Sequence, residues 1–176
     1  MSQSLLLAAG RQRGSALIVS LIFMLLLTII GVGAMQSSIL QERMAGNTRD
    51  VNSAFQAAEA AVRAAELYLQ SAVVGPFDGN GGLYRRCAPG DTTTGCAIPD
   101  WRDPASSGWA ARPGTLAGVA AQPQYMIQRL PPVADPTGSL AADQAAEMIE
   151  MYRITARGFG SSDHTMVVIQ TMYRRG

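Results

Sequence analysis

The chain has 176 residues, of which 48% are hydrophobic and 15% charged, and its formal net charge is +1. A charge this close to zero gives no sign of a nucleic-acid-binding patch or an acidic tail. All nine prolines fall between residues 76 and 136. The chain therefore divides into a proline-free first part, a proline-rich and glycine-rich middle, and an end rich in strand-forming residues.

The first part contains a long apolar run. No charged residue occurs from Gly14 to Gln41, and Ser15–Met35 is mostly Leu, Ile, Val, Phe and Met. As a helix this core would be roughly 31 Å long, close to the thickness of the hydrocarbon layer of a bilayer. A secretory signal core is usually about 7–15 residues long, although the small residues at 31–34 offer it a cleavage site. A buried core helix is a further alternative, but nothing else in the chain could surround it, so residues 15–35 predict a transmembrane helix.

The charges that flank this run predict its orientation. Arg11 and Arg13 precede it, and the first acidic residue is Glu42. Because positive charge is retained on the cytoplasmic side, we expect a single pass through the membrane, with the N-terminus in the cytoplasm and the remainder of the chain outside. The family resemblance described below makes this the inner membrane and the outside the periplasm.

Residues 36–74 predict an amphipathic continuation of the same helix. Most apolar residues from residue 51 onwards recur at spacings of three or four, which is typical of one helical face. Gly46 and Asn47 form a weak point, and Gly75–Pro76 is a stop signal. A helix of about 60 residues in total cannot bury its outer half alone, so it needs a sheet or a bundle of copies. The apolar stripe consists of Met44, Val51, Phe55, Ala58, Val62, Ala65, Leu69 and Val73.

Residues 75–176 predict a small α+β head. Residues 124–130, 150–158 and 164–175 alternate in the manner of strands, and GFGSSD between the last two has the composition of a hairpin turn. Segment 139–149 predicts a short helix capped by Ser139. The predicted fold class is α+β, with one long helix packed on an antiparallel meander of three or four strands.

Several stretches resemble one protein family. Residues 11–14 read RQRG directly before the apolar run, as in type IV pilins. Their precursors carry a short basic leader that ends in glycine and is cut on the cytoplasmic side by prepilin peptidase. Residues 40–47 (LQERMAGN) and 49–66 (RDVNSAFQAAEAAVRAAE), together with YRITARG at 152–158, resemble the PilX family of minor pilins. The resemblance implies a pilin-like fold, with the long helix half in the membrane and half on the sheet.

The resemblance also implies how the chain is processed. Residues 1–14 would be the leader, cut between Gly14 and Ser15, and Ser15 would become the N-methylated first residue. The fifth mature position is Val19, where most type IV pilins carry glutamate to pair with the N-terminal ammonium of a neighbouring subunit. Two interpretations remain open: a subunit that assembles poorly, or one at the pilus tip with no subunit above it to neutralise.

Three classes of function compete: a structural pilus subunit, a membrane-anchored binding module and a tethered enzyme. The resemblance favours a minor pilin that primes type IV pilus assembly at or near the tip and supports surface attachment and twitching motility. Its implied partners are other minor pilins, the major pilin, prepilin peptidase and inner-membrane lipid, with a PilY-type tip adhesin as a further candidate and no nucleic acid. Alternatives are a minor pseudopilin of type II secretion and an uncleaved, membrane-anchored periplasmic binding module. A tethered enzyme has no catalytic motif to support it, and no cofactor is expected.

Cys87 and Cys96, in CAPGDTTTGC, are the only cysteines of the chain. In a periplasmic head they can oxidise and close a short loop. Free thiols and a metal site are the alternatives, but a metal site needs more ligands, and the single histidine, His164, lies far along the sequence. We expect a disulfide between Cys87 and Cys96 and no metal.

Three further motifs have a functional and a simpler interpretation. FDGNGG at 77–82 begins like a calcium loop, but the later ligands are missing, so a turn is expected. His164 beside Asp163 and two serines suggests a catalytic triad, but a turn again explains them. Trp101 and Trp109 are expected to cover the edge of the core, with exposed anchors for a partner as the alternative.

Overall fold

One helix and six strands form the regular structure of residues 15–135 and 147–175, which are the residues that the computed structural model describes. The chain divides after Gly46 into two units. The predicted α+β fold is confirmed. The elements are α1 (Ser15–Leu69), β1 (Leu83–Arg85), β2 (Ala110–Ala111), β3 (Gln124–Arg129), β4 (Val133–Ala134), β5 (Met148–Phe159) and β6 (Met166–Arg175).

Helix α1 is helical at every residue, including Gly46 and Asn47, where the sequence indicated a weak point. It ends at Leu69, five residues before the predicted end at residue 74. The hydroxyl of Ser71 lies 2.7 Å from the carbonyl oxygen of Tyr68 and 2.9 Å from that of Val73. Because such local bonds compete with helical hydrogen bonding, the helix stops here rather than at Gly75.

The face of α1 that packs on the sheet is built mainly from alanine. Four residues of the predicted stripe are buried, namely Ala58, Val62, Ala65 and Leu69, which confirms that part of it. The other four are exposed, namely Met44, Val51, Phe55 and Val73. The prediction was wrong there because it followed the larger apolar residues, whereas the sheet approaches a row of small ones. The buried residues are Ala54, Ala57, Ala58, Ala61, Val62, Ala65 and Leu69.

Strand β5 is the centre of the sheet. It pairs antiparallel with β3 along one edge and with β6 along the other, which confirms the predicted strands and the β5–β6 hairpin. Two differences stand out. First, the sheet is mixed rather than antiparallel, because β1 runs parallel to β3. Second, the sequence did not predict β1, β2 and β4, because two or three residues are too few to show alternation.

The predicted helix at 139–149 is wrong at Met148 and Ile149, which begin β5. Its residues up to 146, Ser139 included, lie outside the described residues.

The apolar core lies between the second half of α1 and the sheet. Leu69 is fully buried and belongs to one cluster with Ile127 of β3 and Tyr152 and Ile154 of β5. Phe77 closes the cluster by stacking on Tyr152, with ring centroids 5.8 Å apart. The core is small, so a few contacts decide how well helix and sheet fit together.

The closest of these contacts is at Gly158 in β5. A Cβ atom placed on Gly158 would collide with the backbone nitrogen of Ala58 and the backbone oxygen of Ala54, and would lie 2.8 Å from the carbonyl carbon of Ala57. The strand therefore rests directly on the backbone of the helix. A glycine inside a strand marks such an approach.

The turn between β5 and β6 is fastened to the same part of α1. The carboxylate of Asp50 accepts hydrogen bonds from the backbone N–H and the hydroxyl of Ser161, each at 2.6 Å, and from the N–H of Ser162 at 3.3 Å. Hydrogen bonds from the hydroxyls of Ser161 and then Thr165 are the main reasons that the pKa of Asp50 falls to about 2. Asp50 thus holds the hairpin turn against the helix as a carboxylate.

We expect Gly158→Ala to destabilise the head by about 3 kcal/mol, because the added methyl group must push the strand off the helix backbone. Urea unfolding of the full chain in detergent micelles, followed by tryptophan fluorescence, measures the change. Gly46→Ala is the matched control, since no atom lies within 4 Å of its added methyl group. It should leave stability unchanged or raise it by up to about 1 kcal/mol. Equal stability of Gly158→Ala and the unmodified chain would contradict the close contact.

Candidate functional site

The first half of α1 exposes a continuous apolar surface. Every residue from 15 to 49 is exposed, and side chains such as Leu17 and Met24 are 70% and 72% accessible. Among the described residues, α1 is the one helix long and apolar enough to cross a membrane, by length and composition, and its most apolar window has a mean hydropathy of 2.8. Monomeric soluble proteins rarely expose apolar patches of this size. This surface therefore needs lipid or neighbouring helices to cover it.

Two hydroxyl groups in the most apolar part of this surface, those of Ser20 and Thr28, are already hydrogen-bonded. Ser20 Oγ donates to the carbonyl oxygen of Leu17 at 2.9 Å, and Thr28 Oγ1 donates to that of Leu25 at 2.7 Å. An unpaired polar group in hydrocarbon costs several kcal/mol. Because both hydroxyls bond within the helix, this segment can enter a bilayer or an apolar helix bundle without that cost.

The predicted site residues of the N-terminus lie at the start of this helix. Gly14 is outside the described residues, Ser15 is the first residue of α1, and Val19 follows about one turn later. The side chain of Val19 is 52% exposed, so the helix presents a branched apolar group at this position. No carboxylate occurs in α1 before Glu42. The fifth place after the predicted cut can therefore pack against a neighbour but cannot form an ion pair.

A shallow groove follows further along the same helix. It has a volume of about 410 Å³ and is lined by Thr28, Ile29, Val32, Gly33 and Gln36. An added Cβ on Gly33 would meet no atom within 4 Å, so the missing side chain leaves open space. Small residues at such points let the backbones of two helices approach closely in an apolar environment.

The predicted disulfide in the head is confirmed. Cys87 and Cys96 are bonded, with their Cα atoms 5.6 Å apart, and the described residues include no free cysteine. The loop that they close is tied to β1, since the N–H of Arg85 donates to Gly95 O at 2.9 Å and its guanidinium to Thr94 O at 2.8 Å. Asp91 lies near both sulfur atoms, but sulfurs bonded to each other are not the thiolates that a metal requires.

A buried arginine holds the next loop. Arg157 of β5 is 2% exposed, and burial lowers its pKa from the usual value. Its guanidinium donates to Gln124 Oε1 at 2.8 Å, to the carbonyl oxygens of Asp103 and Ser106 at 2.9 Å each, and to Ser106 Oγ at 3.1 Å. Its carbon also lies 4.4 Å from the ring centroid of Trp109. Loop 100–109 is thus fixed to the sheet by one cation.

The two tryptophans differ in their surroundings. Trp109 is half-buried over Arg157, and its indole N–H donates to Ser106 Oγ at 3.1 Å. Trp101 is 41% exposed, and Arg102 lies 4.8 Å over its ring. The prediction that both cover the edge of the core fits Trp109 in part and is wrong for Trp101. Trp101 remains at the surface of an ordered loop, where large aromatic side chains can serve as anchors.

The two remaining motifs are turns. In FDGNGG, the carboxylate of Asp78 accepts hydrogen bonds from the backbone and side-chain nitrogens of Asn80, both at 3.1 Å, and these bonds lower the pKa of Asp78. His164 and Asp163 form an ion-pair contact of 3.4 Å, but their side chains are 90% and 81% exposed. Neither motif gathers the ligands of a cation site or the buried geometry of a catalytic triad.

Sequence reasoning missed three residues that position the head: Asp50, Arg157 and Gly158. Each lies inside a stretch that carried the family resemblance, but none had been given a role. Gly158 had a usable signal, since a glycine within an alternating strand indicates close backbone approach. Asp50 and Arg157 had no such signal, because their partners are distant in the sequence. Ser161 lies 111 residues from Asp50, and the hydrogen-bond partners of Arg157 lie 33 to 54 residues from it.

Comparison with known families identifies two matching models. The model described as PilX N-terminal matches residues 13–63. The model described as type IV pilus assembly protein PilX C-term matches residues 79–175 and therefore spans both the disulfide loop and the sheet. No curated protein and no solved structure matches the chain significantly.

We expect Arg157→Gln to release loop 100–109 and destabilise the head by about 2 kcal/mol, because the carbonyl oxygens of Asp103 and Ser106 lose their hydrogen bonds from the guanidinium. In a Trp101→Phe background, Trp109 is the remaining tryptophan, and acrylamide quenching measures its accessibility. Quenching should rise with Arg157→Gln. It should not rise with Arg102→Gln, the control, which removes an arginine that lies over Trp101 rather than Trp109. Unchanged quenching in both variants would show that Arg157 does not hold the loop.

Proposed function

The chain belongs to the PilX family of type IV pilus proteins, and we propose that it is a minor pilin that primes pilus assembly and lies at or near the tip. Members of this family are structural components of the pilus and are not known as enzymes. In this role the chain would associate with other minor pilins and the major pilin, and would support surface attachment and twitching motility. A PilY-type adhesin is a candidate neighbour at the tip.

The observation that carries the proposal is the exposed apolar half of α1 with Val19 at its fifth position after Gly14. A subunit in the body of a filament has a neighbour whose N-terminal ammonium must be neutralised in an apolar interior, and an unpaired charge there is expensive. Val19 offers no carboxylate for that purpose. A subunit with no neighbour above it does not need one, which favours the tip over the shaft.

The proposed organisation of the chain follows from this role. Residues 1–14 would be the leader, 15–35 the membrane-spanning segment, 36–74 its amphipathic continuation, and 75–176 the periplasmic head. The apolar segment would hold the subunit in the inner membrane before assembly. On extraction the same surface would pack against neighbouring helices, so the apolar side chains stay out of water in both states.

Priming has a physical basis in the cost of ordering. The first subunits to associate lose translational and rotational freedom without a preformed surface to receive them. A small set of minor pilins that associate in the membrane would supply that surface. Each later subunit then joins an existing layer, so loss of the first layer should reduce how many pili start.

We expect prepilin peptidase to remove Met1–Gly14. Removal takes away Arg11 and Arg13, leaving 12 basic against 13 acidic residues, so the net charge changes from +1 to −1. Intact-mass measurement on protein from a peptidase-positive host, with a peptidase-deficient strain as control, tests this. A mature chain that starts after Ala34 would indicate an ordinary secretion signal, and an uncut chain would favour the membrane-anchored binding module.

We expect deletion of the gene to reduce the number of surface pili rather than the length of each pilus. The count is made by electron microscopy in a strain whose pilus retraction is disabled, because retraction removes pili that start slowly. Twitching is measured separately in the deletion strain with retraction intact, because twitching requires retraction. Normal piliation together with normal twitching would contradict the proposal. Normal piliation with a defect in protein secretion would point instead to a type II secretion pseudopilin.

Complementation of the deletion strain with variants at Val19 tests the tip position. Val19→Glu supplies the missing carboxylate. Val19→Gln is the control, because glutamine has the shape of glutamate but carries no charge. We expect Val19→Glu to raise the amount of this chain per pilus, measured by quantitative immunoblotting of sheared pili, and Val19→Gln to leave it unchanged. Equal incorporation of both variants would remove the argument from Val19.

A further inference from the structure

The outer edge of β6 has no partner strand among residues 15–135 and 147–175. β6 pairs with β5 in ten consecutive registers, from Phe159 opposite Met166 to Glu150 opposite Arg175, and no described segment pairs with its other side. The register is unbroken, so the strand contains no bulge. None of the ten residues of β6 is buried, whereas most of β5 is.

The hydrogen bonds of the hairpin show which backbone groups face this edge. The N–H of Gly160 donates to Thr165 O at 2.9 Å, which makes these two residues a hydrogen-bonded pair. Such pairs alternate along an antiparallel ladder. Residues 167, 169, 171 and 173 therefore direct their N–H and C=O groups toward β5, and residues 166, 168, 170 and 172 direct theirs outward.

The hydrogen bonds between β5 and β3 lead to the same assignment of inward and outward backbone groups. The N–H of Leu130 donates to Met151 O at 2.9 Å, so Met151 directs its backbone groups toward the β3 edge. Its neighbours Glu150 and Tyr152 must then direct theirs toward β6. These are the residues opposite Arg175 and Tyr173, which agrees with the assignment made from the turn.

This edge lacks the features that usually protect an edge strand. Residues 166–173 read MVVIQTMY and contain no proline, glycine or charged residue, and the charges of the strand are confined to Arg174 and Arg175 at its end. The other edges differ: β1 and β2 cover the outer side of β3, and Pro131 and Pro132 directly precede the two-residue β4. Soluble proteins normally block a long, regular, apolar edge because it pairs with other chains. Because the other edges of the sheet are protected and the outer edge of β6 is not, this edge is the position where another chain can dock.

We propose that the outer edge of β6 accepts an extended segment of another pilus protein, which adds a strand to the sheet. The chemistry of the partner follows from the edge: main-chain donors and acceptors opposite residues 166–172, and an uncharged segment of about seven residues whose side chains alternate between the two faces of the sheet. Met172, 54% exposed, and Val168 would contact it on the face away from α1. The proposal rests on the proposed function, because it takes the partner from the assembled pilus.

A second copy of the chain is a poorer occupant of this edge. Asp50 contacts the turn that precedes β6, and Arg175 at its end donates to the carbonyl oxygen of Ser71 at 2.9 Å. The described helix from residue 50 to 69 therefore runs alongside β6 in the same direction. Antiparallel pairing of two β6 strands would place the N-terminal ends of their helices at opposite ends of the pair. Subunits of one pilus, whose heads all point the same way, do not meet in that arrangement.

Hydrogen–deuterium exchange at residue resolution tests the proposal. The full chain is measured alone in micelles and as a purified complex with the minor and major pilins of its host. We expect the amides of Val168, Gln170 and Met172 to exchange rapidly in the chain alone and at least about tenfold more slowly in the complex. The amides of Val167, Ile169 and Thr171, bonded to β5, should be protected in both samples and serve as internal controls.

A matched pair of variants gives a second measurement. Met172→Pro removes an outward N–H without removing a bond to β5, and Met172→Leu keeps it. We expect Met172→Pro to retain the disulfide but to copurify with the pilus proteins about tenfold less than Met172→Leu. If Met172→Pro does not fold, the exchange measurement alone decides.

Three results would overturn the proposal or its basis. Unchanged exchange at Val168, Gln170 and Met172 in a complex that does form would reject the docking edge and leave the proposed function standing. Protection that appears on concentrating the chain alone would assign the edge to self-association. If the unmodified chain forms no complex with pilus proteins, the proposed function fails, and the inference that rests on it fails with it.

Discussion

The contact of Gly158 with the backbone of α1 is the constraint on which the head depends. Because this strand residue has no side chain and faces alanines, β5 lies directly on the helix, and β3 and β6 take their positions from β5. Two polar contacts follow from the same arrangement. Asp50 reaches the turn after β5 and bonds Ser161, while Arg157, next to Gly158 on the opposite face of the strand, holds loop 100–109. A shift of β5 would disturb all three at once.

The two faces of the sheet are closed by different kinds of interaction. On the helix side the core is apolar and well buried. On the other side Arg157 holds loop 100–109 by hydrogen bonds and lies over the ring of Trp109. The Cys87–Cys96 disulfide closes a further loop of the proline-rich and glycine-rich middle, which has few apolar residues to bury. A disulfide restrains the unfolded chain, and buried hydrogen bonds select one geometry. The loops are therefore ordered without a core of their own, which leaves Trp101 exposed on a fixed support.

Much of this fold could be predicted because its main elements are long and periodic. The apolar run, the alternating residues of β3, β5 and β6, and the glycine-rich turn each carry a local signal. The predicted helical stripe was wrong at Val51 and Phe55, since size alone does not show that the sheet needs a face of alanines. β1, β2 and β4 are too short to show a period. The partners of Asp50 and Arg157 depend on tertiary pairing, which no local pattern contains, and the family resemblance marked their stretches without giving them roles.

The described chain leaves two surfaces incomplete, and their chemistry differs. The first half of α1 exposes apolar side chains, and the hydroxyls of Ser20 and Thr28 are bonded within the helix, so it is suited to any apolar neighbour, whether lipid or helix. The outer edge of β6 exposes backbone donors and acceptors, which a lipid cannot satisfy and an extended strand can. The buried residues of α1 all lie between Ala54 and Leu69, and the outward backbone groups of β6 take no part in its pairing with β5. Helix 47–69 and the sheet can therefore pack without either surface being occupied. A head that is complete in its core and incomplete at its borders can fold first and bind its neighbours afterwards, as assembly from single membrane-held subunits requires.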